Sequence, residues 1–568
     1  MRIKTEKVKI LKYCGLLTIY GSALIIIFLR PLDAQIWQWA DDAMYFQNAL
    51  AIFQNIGNGH WLGPFNKVVI SKPPFFSVFI GAVHHLRIPL RLAEFLLFAP
   101  LPFFFWMAVR PLKIGKWIIF YLATFCVVFI PVAGLDSRLV RGTLFGALAL
   151  YCLISLCGII IISGSRSRKA LSWWAILAGL ALGLAVTTRA EALWLMAPTG
   201  LAILFTFILE WRSGKLSNCA LFVSLICIGY VVPCIFFSTL NYSSYGVFSP
   251  SLRQNSAFIN FHTILCSLQP NQRKKYVPIN TKTRELAYSI SPTFAQLKPY
   301  LEGPDLDPIA RNKAHLWING WGNISGGREF FVSNFQFALN EAIILSGRDT
   351  GKAFLDFCRQ ATKEIRVAIK NERIEHGRLG FSMLPPLLIA DLTEIFSASF
   401  KSFFLLIGKG LYREKIHKSA STSVIADDWH SYLRTWPLPS SDVEQHSIIT
   451  KNQFFNFGVD MFRISYPFFL ILGLLAGVRA WLNKCEHYQK ILMMLILSWS
   501  AILSFCFVIG IVDTLGFPLL KNPGGYNRMG FFPLHFLLLV SVISFFYTIK
   551  AGPSWKTCWH FFPKYTFK

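Results

Sequence analysis

The sequence predicts an all-α polytopic membrane protein with about ten transmembrane helices, juxtamembrane helices in the first outer loop, and a large, mostly helical extracytoplasmic region. Three observations carry this. Of 568 residues, 54% are hydrophobic and 15% are charged, with a mean hydropathy of +0.47; soluble domains carry about 25% charged residues. Apolar runs of about 20 residues recur, the length that crosses a bilayer as a helix. Basic residues gather in short connectors between those runs, as membrane topology requires. The net charge of +27 therefore reads as topology. No basic run is interleaved with a soluble fold of the usual nucleic-acid types, so no nucleic-acid partner is expected.

The first element, MRIKTEKVKILKYCGLLTIYGSALIIIFLR, has a basic start and a long apolar run. No small-x-small cleavage site follows, so it reads as an uncleaved span rather than a signal peptide. The apolar runs fall at about 10–30, 91–109, 117–134, 140–162, 171–187, 192–209, 218–240, 461–481, 490–511 and 530–548. The connectors VRPLKIGKW, GSRSRKA, EWRSGKL and RAWLNKCEHYQK and the C-terminal tail are basic, which places them and both termini in the cytoplasm. That requires an even number of spans, and ten satisfies every short basic connector. The segment from Lys72 to Leu86 is apolar but short. Crossing there would put RPLKIGK outside, so an interfacial or re-entrant helix is expected, opened by Pro73 and Pro74.

Three regions result: 1–240, a transmembrane catalytic module with its first outer loop at 31–90; 241–460, an extracytoplasmic domain; and 461–568, C-terminal spans and a cytoplasmic tail. Within the middle region, helical apolar spacing over FALNEAIILSGRDTGKAFLDFCRQATKEIRVAIKNERIEHG predicts a small helical domain. The amphipathic stretch from Met383 carries Asp391, Glu394 and Lys401 and is expected at the interface, with a pair of extra spans as the alternative. Of twelve cysteines none forms a CxxC pair. Cys266 and Cys358 lie in the polar region and could pair if it is outside the cytoplasm. Asn241 and Asn323 begin glycosylation triplets, but such triplets arise often by chance, and a bacterial inner membrane with the site facing the periplasm is the expected location.

On this map the unusual polar residues share one side. Asp41, Asp42 and Lys72 fall in the first outer loop; Asp136, Arg138 and Arg141 at the next; Arg189 and Glu191 at the turn between the fifth and sixth spans; Lys521, Tyr526 and Arg528 in the last. Each has a structural explanation by itself. Asp41 and Asp42 suit a helix start, Arg189 and Glu191 can pair with each other, Lys72 can snorkel, and Arg528 can anchor a span. The adjacent His84 and His85 lack metal-ligand spacing. Charge at membrane depth is costly, however, and four such connectors on one side point to a site. A carboxylate there can act as general base for a hydroxyl, and Lys and Arg can hold a phosphate as leaving group. That chemistry suits sugar transfer from a lipid-phosphate donor.

The stretch DDAMYFQNALAIFQNIGNGHWLGPFNKVVISKPPFFSVFIGAVHHL resembles the first outer loop of the polyprenyl-phosphate-sugar-dependent C-type glycosyltransferases, which include protein O-mannosyltransferases and lipid A aminoarabinose transferases. The ordered matches are Asp41-Asp42, Tyr45, Gly57 or Gly59, Trp61 and Lys72-Pro73-Pro74. The second acid is Asp42 where the family has Glu, which leaves Asp41 as the match to the catalytic acid. The segments GLDSRLVRGTLF, TTRAEALWLMAP and YNRMGFFPLHFLLL resemble later parts of the same family. The resemblance implies an inverting transfer in which Asp41 deprotonates the acceptor and Asp42 or Asp136 orients it. Lys72, Arg138, Arg189 and Arg528 are then the donor-phosphate residues, with Tyr45, Trp61, Glu191 and Tyr526 as substrate contacts. The partners implied are a polyprenyl-phosphate-sugar donor, a glycolipid, polysaccharide or protein acceptor, and membrane lipids. Some relatives bind a divalent metal at the loop carboxylates and others need none, so a metal at Asp41 and Asp42 stays open.

Three other readings compete. A transporter or flippase would want charges in mid-span and inverted repeats, whereas the charges here sit at span ends. An oligosaccharide polymerase or ligase would not need the Asp-Asp to Lys-Pro-Pro order. A catalytically dead scaffold of the same fold differs only in activity.

Overall fold

The computed structural model describes residues 2–29, 41–54, 60–66, 69–129, 141–164, 167–268, 276–277, 279–302, 332–372, 374, 376, 389–409, 470–479, 486–516 and 532–551. The N-terminal half contains α1 (Arg2–Leu29), α2 (Asp41–Gln54), α3 (Phe75–His85), α4 (Leu90–Phe98), α5 (Leu101–Val109), α6 (Lys116–Thr124), α7 (Gly142–Ile162), α8 (Arg168–Val186), α9 (Met196–Arg212) and α10 (Leu216–Tyr245). A short 3-10 helix, Ala190–Leu195, leads into α9. There follow α11 (Ser256–Ser267), α12 (Thr281–Ile290), α13 (Pro292–Ala295), α14 (Lys298–Glu302), α15 (Val332–Leu345), α16 (Gly351–Glu372) and α17 (Ile389–Lys409). The chain closes with α18 (Leu470–Arg479), α19 (Glu486–Ile511) and α20 (Phe532–Ala551). Among the described residues no strand forms beyond one isolated bridge, Leu268 to His376.

Six stretches are long and apolar enough to cross a membrane: Leu90–Leu112, Gly142–Ile162, Arg168–Val186, Ala190–Arg212, Leu216–Tyr245 and Tyr488–Leu515. Shorter apolar helices at Ile10–Ile25, Lys116–Val128, Leu470–Arg479 and Phe536–Tyr547 fall on the four remaining expected runs. The chain is thus an all-α integral membrane protein with six membrane-length helices among the described residues. Exposed apolar side chains along α10, including Ile228, Val232, Ile235 and Phe236, form a face that suits lipid. The stretch after Lys72 makes an 11-residue helix, α3, only about 16 Å long at 1.5 Å per residue and too short to span.

Packing follows from small residues and from proline. Gly179 and Gly183 of α8 meet the Ile226 and Tyr230 carbonyls of α10, where a Cβ would collide with backbone. Close backbone approach through glycine is the usual device of membrane helix pairs. Pro100 lacks the N–H that would continue α4, so the helix restarts as α5. Around that break the Tyr20 hydroxyl donates to the Ala99 carbonyl (2.8 Å) and the Tyr151 hydroxyl to the Leu97 carbonyl (3.1 Å).

The two ends of the bundle differ. At one end the basic connectors interlock: buried Lys490 donates to the Ile161 and Ser163 carbonyls (3.0 and 2.7 Å), and Arg212 donates to Gln489. Glu210 accepts the Gly164 N–H (2.7 Å) and the Asn218 amide (3.0 Å). At the other end a second apolar core forms from α11 to α16, centred on Phe258, Phe261, Phe294, Phe335 and Phe354. It also takes in Leu62, Val69 and Ile70, so part of the first loop folds with this region rather than with the bundle.

Three features singled out in the sequence take definite places here. Cys266 and Cys358 are both buried in the second core and both free. The Cys266 thiol lies instead 3.5 Å from Nδ1 of His262, whose pKa burial pushes down to about 3, with Arg253 adding to the effect. Asn241 is fully buried, its amide donating to the Ser249 and Pro250 carbonyls (2.7 and 3.0 Å), so that triplet is closed to a glycan; Asn323 lies outside the described residues. Finally, α17, for which both an interfacial course and a crossing are open from the sequence, runs antiparallel alongside α19. Phe396 meets Phe507, Phe403 meets Trp499, and Gly510 packs against Ile395 and Ser399.

Candidate functional site

The loop-bearing end of the bundle gathers charge from three places in the sequence. Helix α2 begins at Asp41, so both acids occupy its first turn, where the helix dipole favours negative charge. The side chains of Asp41 and Asp42 lie outside what the structure describes. Tyr45 follows Asp41 by one turn on the same face of α2. Its ring is fully buried and packs edge-on against Phe76 of α3, with centroids 5.1 Å apart.

Two cations lie against that ring. Lys72 Nζ is 5.8 Å from its centroid and Arg141 Cζ is 5.9 Å, within the range of a cation–π contact. Lys72 is itself buried. Arg141 reaches across to Glu191 Oε1 (3.5 Å), and Arg189 Nε meets the other oxygen, Oε2 (3.4 Å). One carboxylate therefore sits between two guanidiniums, Arg141 and Arg189 being 11% and 7% exposed at the side chain. The Arg189 guanidinium also lies over Phe145.

Backbone contacts fix these groups in place. The Phe75 N–H, at the start of α3, donates to the Thr187 carbonyl at the end of α8 (3.1 Å), joining the Lys72 loop to the Arg189 turn. The Ile70 carbonyl accepts the Leu252 N–H (2.8 Å). Ile70 holds φ at +51°, a costly conformation for a β-branched residue that persists only where its surroundings over-determine it. It stands two residues before Lys72. Three cations and one carboxylate, packed on aromatic rings at helix ends, make a site suited to an anionic group.

The expected residues divide cleanly. Lys72, Tyr45, Arg189 and Glu191 come together. Trp61 is bound differently: its indole N–H donates to Asn241 (3.0 Å) and its ring stacks on Phe237, so it fastens the first loop to α10. Asp136, Arg138, Lys521, Tyr526 and Arg528 lie outside the described residues. Arg141, to which the resemblance gives no part, is the added member; its signal in the sequence was only its position at the start of a span. Among the described residues no three of His, Cys, Asp and Glu gather as a metal site.

No protein-family model matches the chain, and no curated protein does. Two solved structures are similar to it. The crystal structure of ArnT from Cupriavidus metallidurans in the apo state is 13% identical, with a TM-score of 0.30, over 90% of this chain and 78% of that one. The crystal structure of the same protein bound to undecaprenyl phosphate is 12% identical, with a TM-score of 0.30, over 89% and 77%. At that level the likeness carries no argument about individual residues.

Proposed function

We propose that the protein is a membrane glycosyltransferase that moves a sugar from a polyprenyl-phosphate donor to an acceptor hydroxyl, at the extracytoplasmic face of a bacterial inner membrane. The observation that carries this is the gathering of Lys72, Arg141 and Arg189 around Tyr45 and Glu191, one turn along α2 from Asp41. The first-loop order of Asp41, Tyr45, Trp61 and Lys72-Pro73-Pro74 supports the same reading. A lipid phosphate has its tail in the bilayer and its charge at a helix end, where these cations lie.

In this mechanism Asp41 takes the proton of the acceptor hydroxyl as its oxygen attacks the anomeric carbon. The bond from that carbon to the phosphate oxygen breaks, and its electron pair leaves with the phosphate. Lys72 as a point charge and Arg141 and Arg189 as planar donors stabilise the negative charge that develops; Arg138 and Arg528 are further candidates for that role. Attack opposite the leaving group inverts the anomeric centre. Asp42 or Asp136 orients the base.

The test is glycan and lipid profiling of a strain lacking the gene. One sugar should be missing from one glycoconjugate, restored by the wild-type gene and not by Asp41→Asn at equal protein level. Restoration by Asp41→Asn would remove the general base, and an unchanged glycan profile in the deletion strain would remove the enzyme reading.

A further inference from the structure

Between α11 and α16, on the second core, lies a groove of about 400 Å³. Its lining includes Arg359, Lys363, Arg366 and Lys370 from one helix, Asn260 facing them, and Val367. No acid lines it. The cations stand at i, i+4, i+7 and i+11 of α16, one stripe of a single helix face, spaced about one per 5.4 Å turn. Arg359 pairs with Asp356 (2.6 Å). Lys363, Arg366 and Lys370 form no ion pair among the described residues and are exposed. The neighbouring acid, Glu364, is turned to the other side of the helix. It accepts from the Ser291 hydroxyl and from the Thr293 N–H and hydroxyl (2.7, 2.9 and 2.6 Å).

We infer that this groove binds an anionic saccharide chain, the acceptor or the anionic part of it. The inference rests on the proposed transfer only for the word acceptor; the binding stands by itself. Charge complementarity selects an anionic partner. Cations repeating once per helical turn match a partner with one negative charge per repeat, as a uronic-acid or phosphate-bearing glycan has. The concave wall and half-exposed Val367 suit the polar edge and apolar face of a sugar ring, whereas a flat bilayer surface would be met by a convex face. The groove is also tied to the candidate site. Gly351, at the head of α16, packs on Tyr245 at the end of α10, and Phe354 contacts Phe65 of the first loop.

The experiment uses the full-length protein in neutral-lipid nanodiscs, with hexagalacturonate as the anionic probe and maltohexaose as its neutral counterpart. The wild type should bind hexagalacturonate at least about tenfold more tightly than maltohexaose, weakening as salt rises. The triple variant Lys363→Glu, Arg366→Glu, Lys370→Glu should lose that preference while keeping its melting temperature, because all three side chains are exposed. Equal affinity in the variant, equal binding of the neutral chain, or no binding by the wild type would overturn the inference. So would binding of the wild type to anionic-lipid vesicles that the triple variant loses, with no binding of the saccharide. Asp41→Asn should bind hexagalacturonate as the wild type does, which separates failure of the groove from failure of the transfer reading.

Discussion

Arg141 and Arg189 each hold one oxygen of Glu191, and Lys72 shares the Tyr45 ring with Arg141. The cluster thus carries more positive than negative charge, and an arriving anion would meet donors already oriented. Removing one such donor to a developing negative charge typically costs about a hundredfold in rate. Arg141→Ala should therefore lower sugar transfer by about that factor, and Arg141→Lys should recover only part of it, because an ammonium cannot serve Glu191 and a phosphate with the same planar fork. The measurement is the transfer rate in membranes, normalised to folded protein. A wild-type rate in Arg141→Ala would take this residue out of the site. Arg141 was visible in the sequence as a charge at a span end. Its partnership with Glu191, fifty residues on, was not, because only folding brings the start of α7 to the turn after α8.

At the scale of elements, the α8–α10 crossing decides where Arg189 stands, since Thr187 and Arg189 follow directly from α8. That crossing depends on glycine: a Cβ on Gly179 would strike the Ile226 carbonyl, and one on Gly229 would lie 2.8 Å from the Leu180 N. Gly179→Ala should cost about 1–3 kcal/mol, the usual range for overpacking, and lower the thermal midpoint of the detergent-solubilised protein. Gly200→Ala is the matched control, with open space around it, and should leave the midpoint unchanged or slightly raised. An equal response from both would mean that the crossing is not tight. Apolar runs made these helices legible, since length and hydropathy are local properties. The course of α17 was not legible. Its charges suggested an interface, while its contacts with α19 come from Phe396, Ser399 and Phe403 meeting residues about a hundred positions away.

Across the whole molecule, the first loop is the joint between two cores. Tyr45 belongs to the bundle core, while Leu62, Val69 and Ile70 belong to the second. Tyr245 fastens them: its hydroxyl accepts the Leu62 N–H (3.1 Å) and donates to the Gly63 carbonyl (2.8 Å). Tyr245→Phe orphans two buried backbone groups, at a cost of about 1–3 kcal/mol. The expected outcome is faster proteolysis within the first loop and reduced transfer, with little change in the melting of the bundle. Unchanged cleavage would show that other contacts hold the loop.

By itself the sequence determined the solvent of each segment and the order of the first-loop residues. Hydrophobic length and connector charge are additive along a chain, so a membrane helix can be read without its neighbours. Which charges meet was decided only by the tertiary structure. Lys72, Arg141 and the Arg189–Glu191 turn lie on separate connectors, and their distances depend on helix crossings, on the Pro100 break and on the Phe75 to Thr187 hydrogen bond. The same holds for the groove on α16. Its basic stripe is periodic in the sequence, but a groove needs a second wall, and α11 supplies that wall only once both helices pack on a common core.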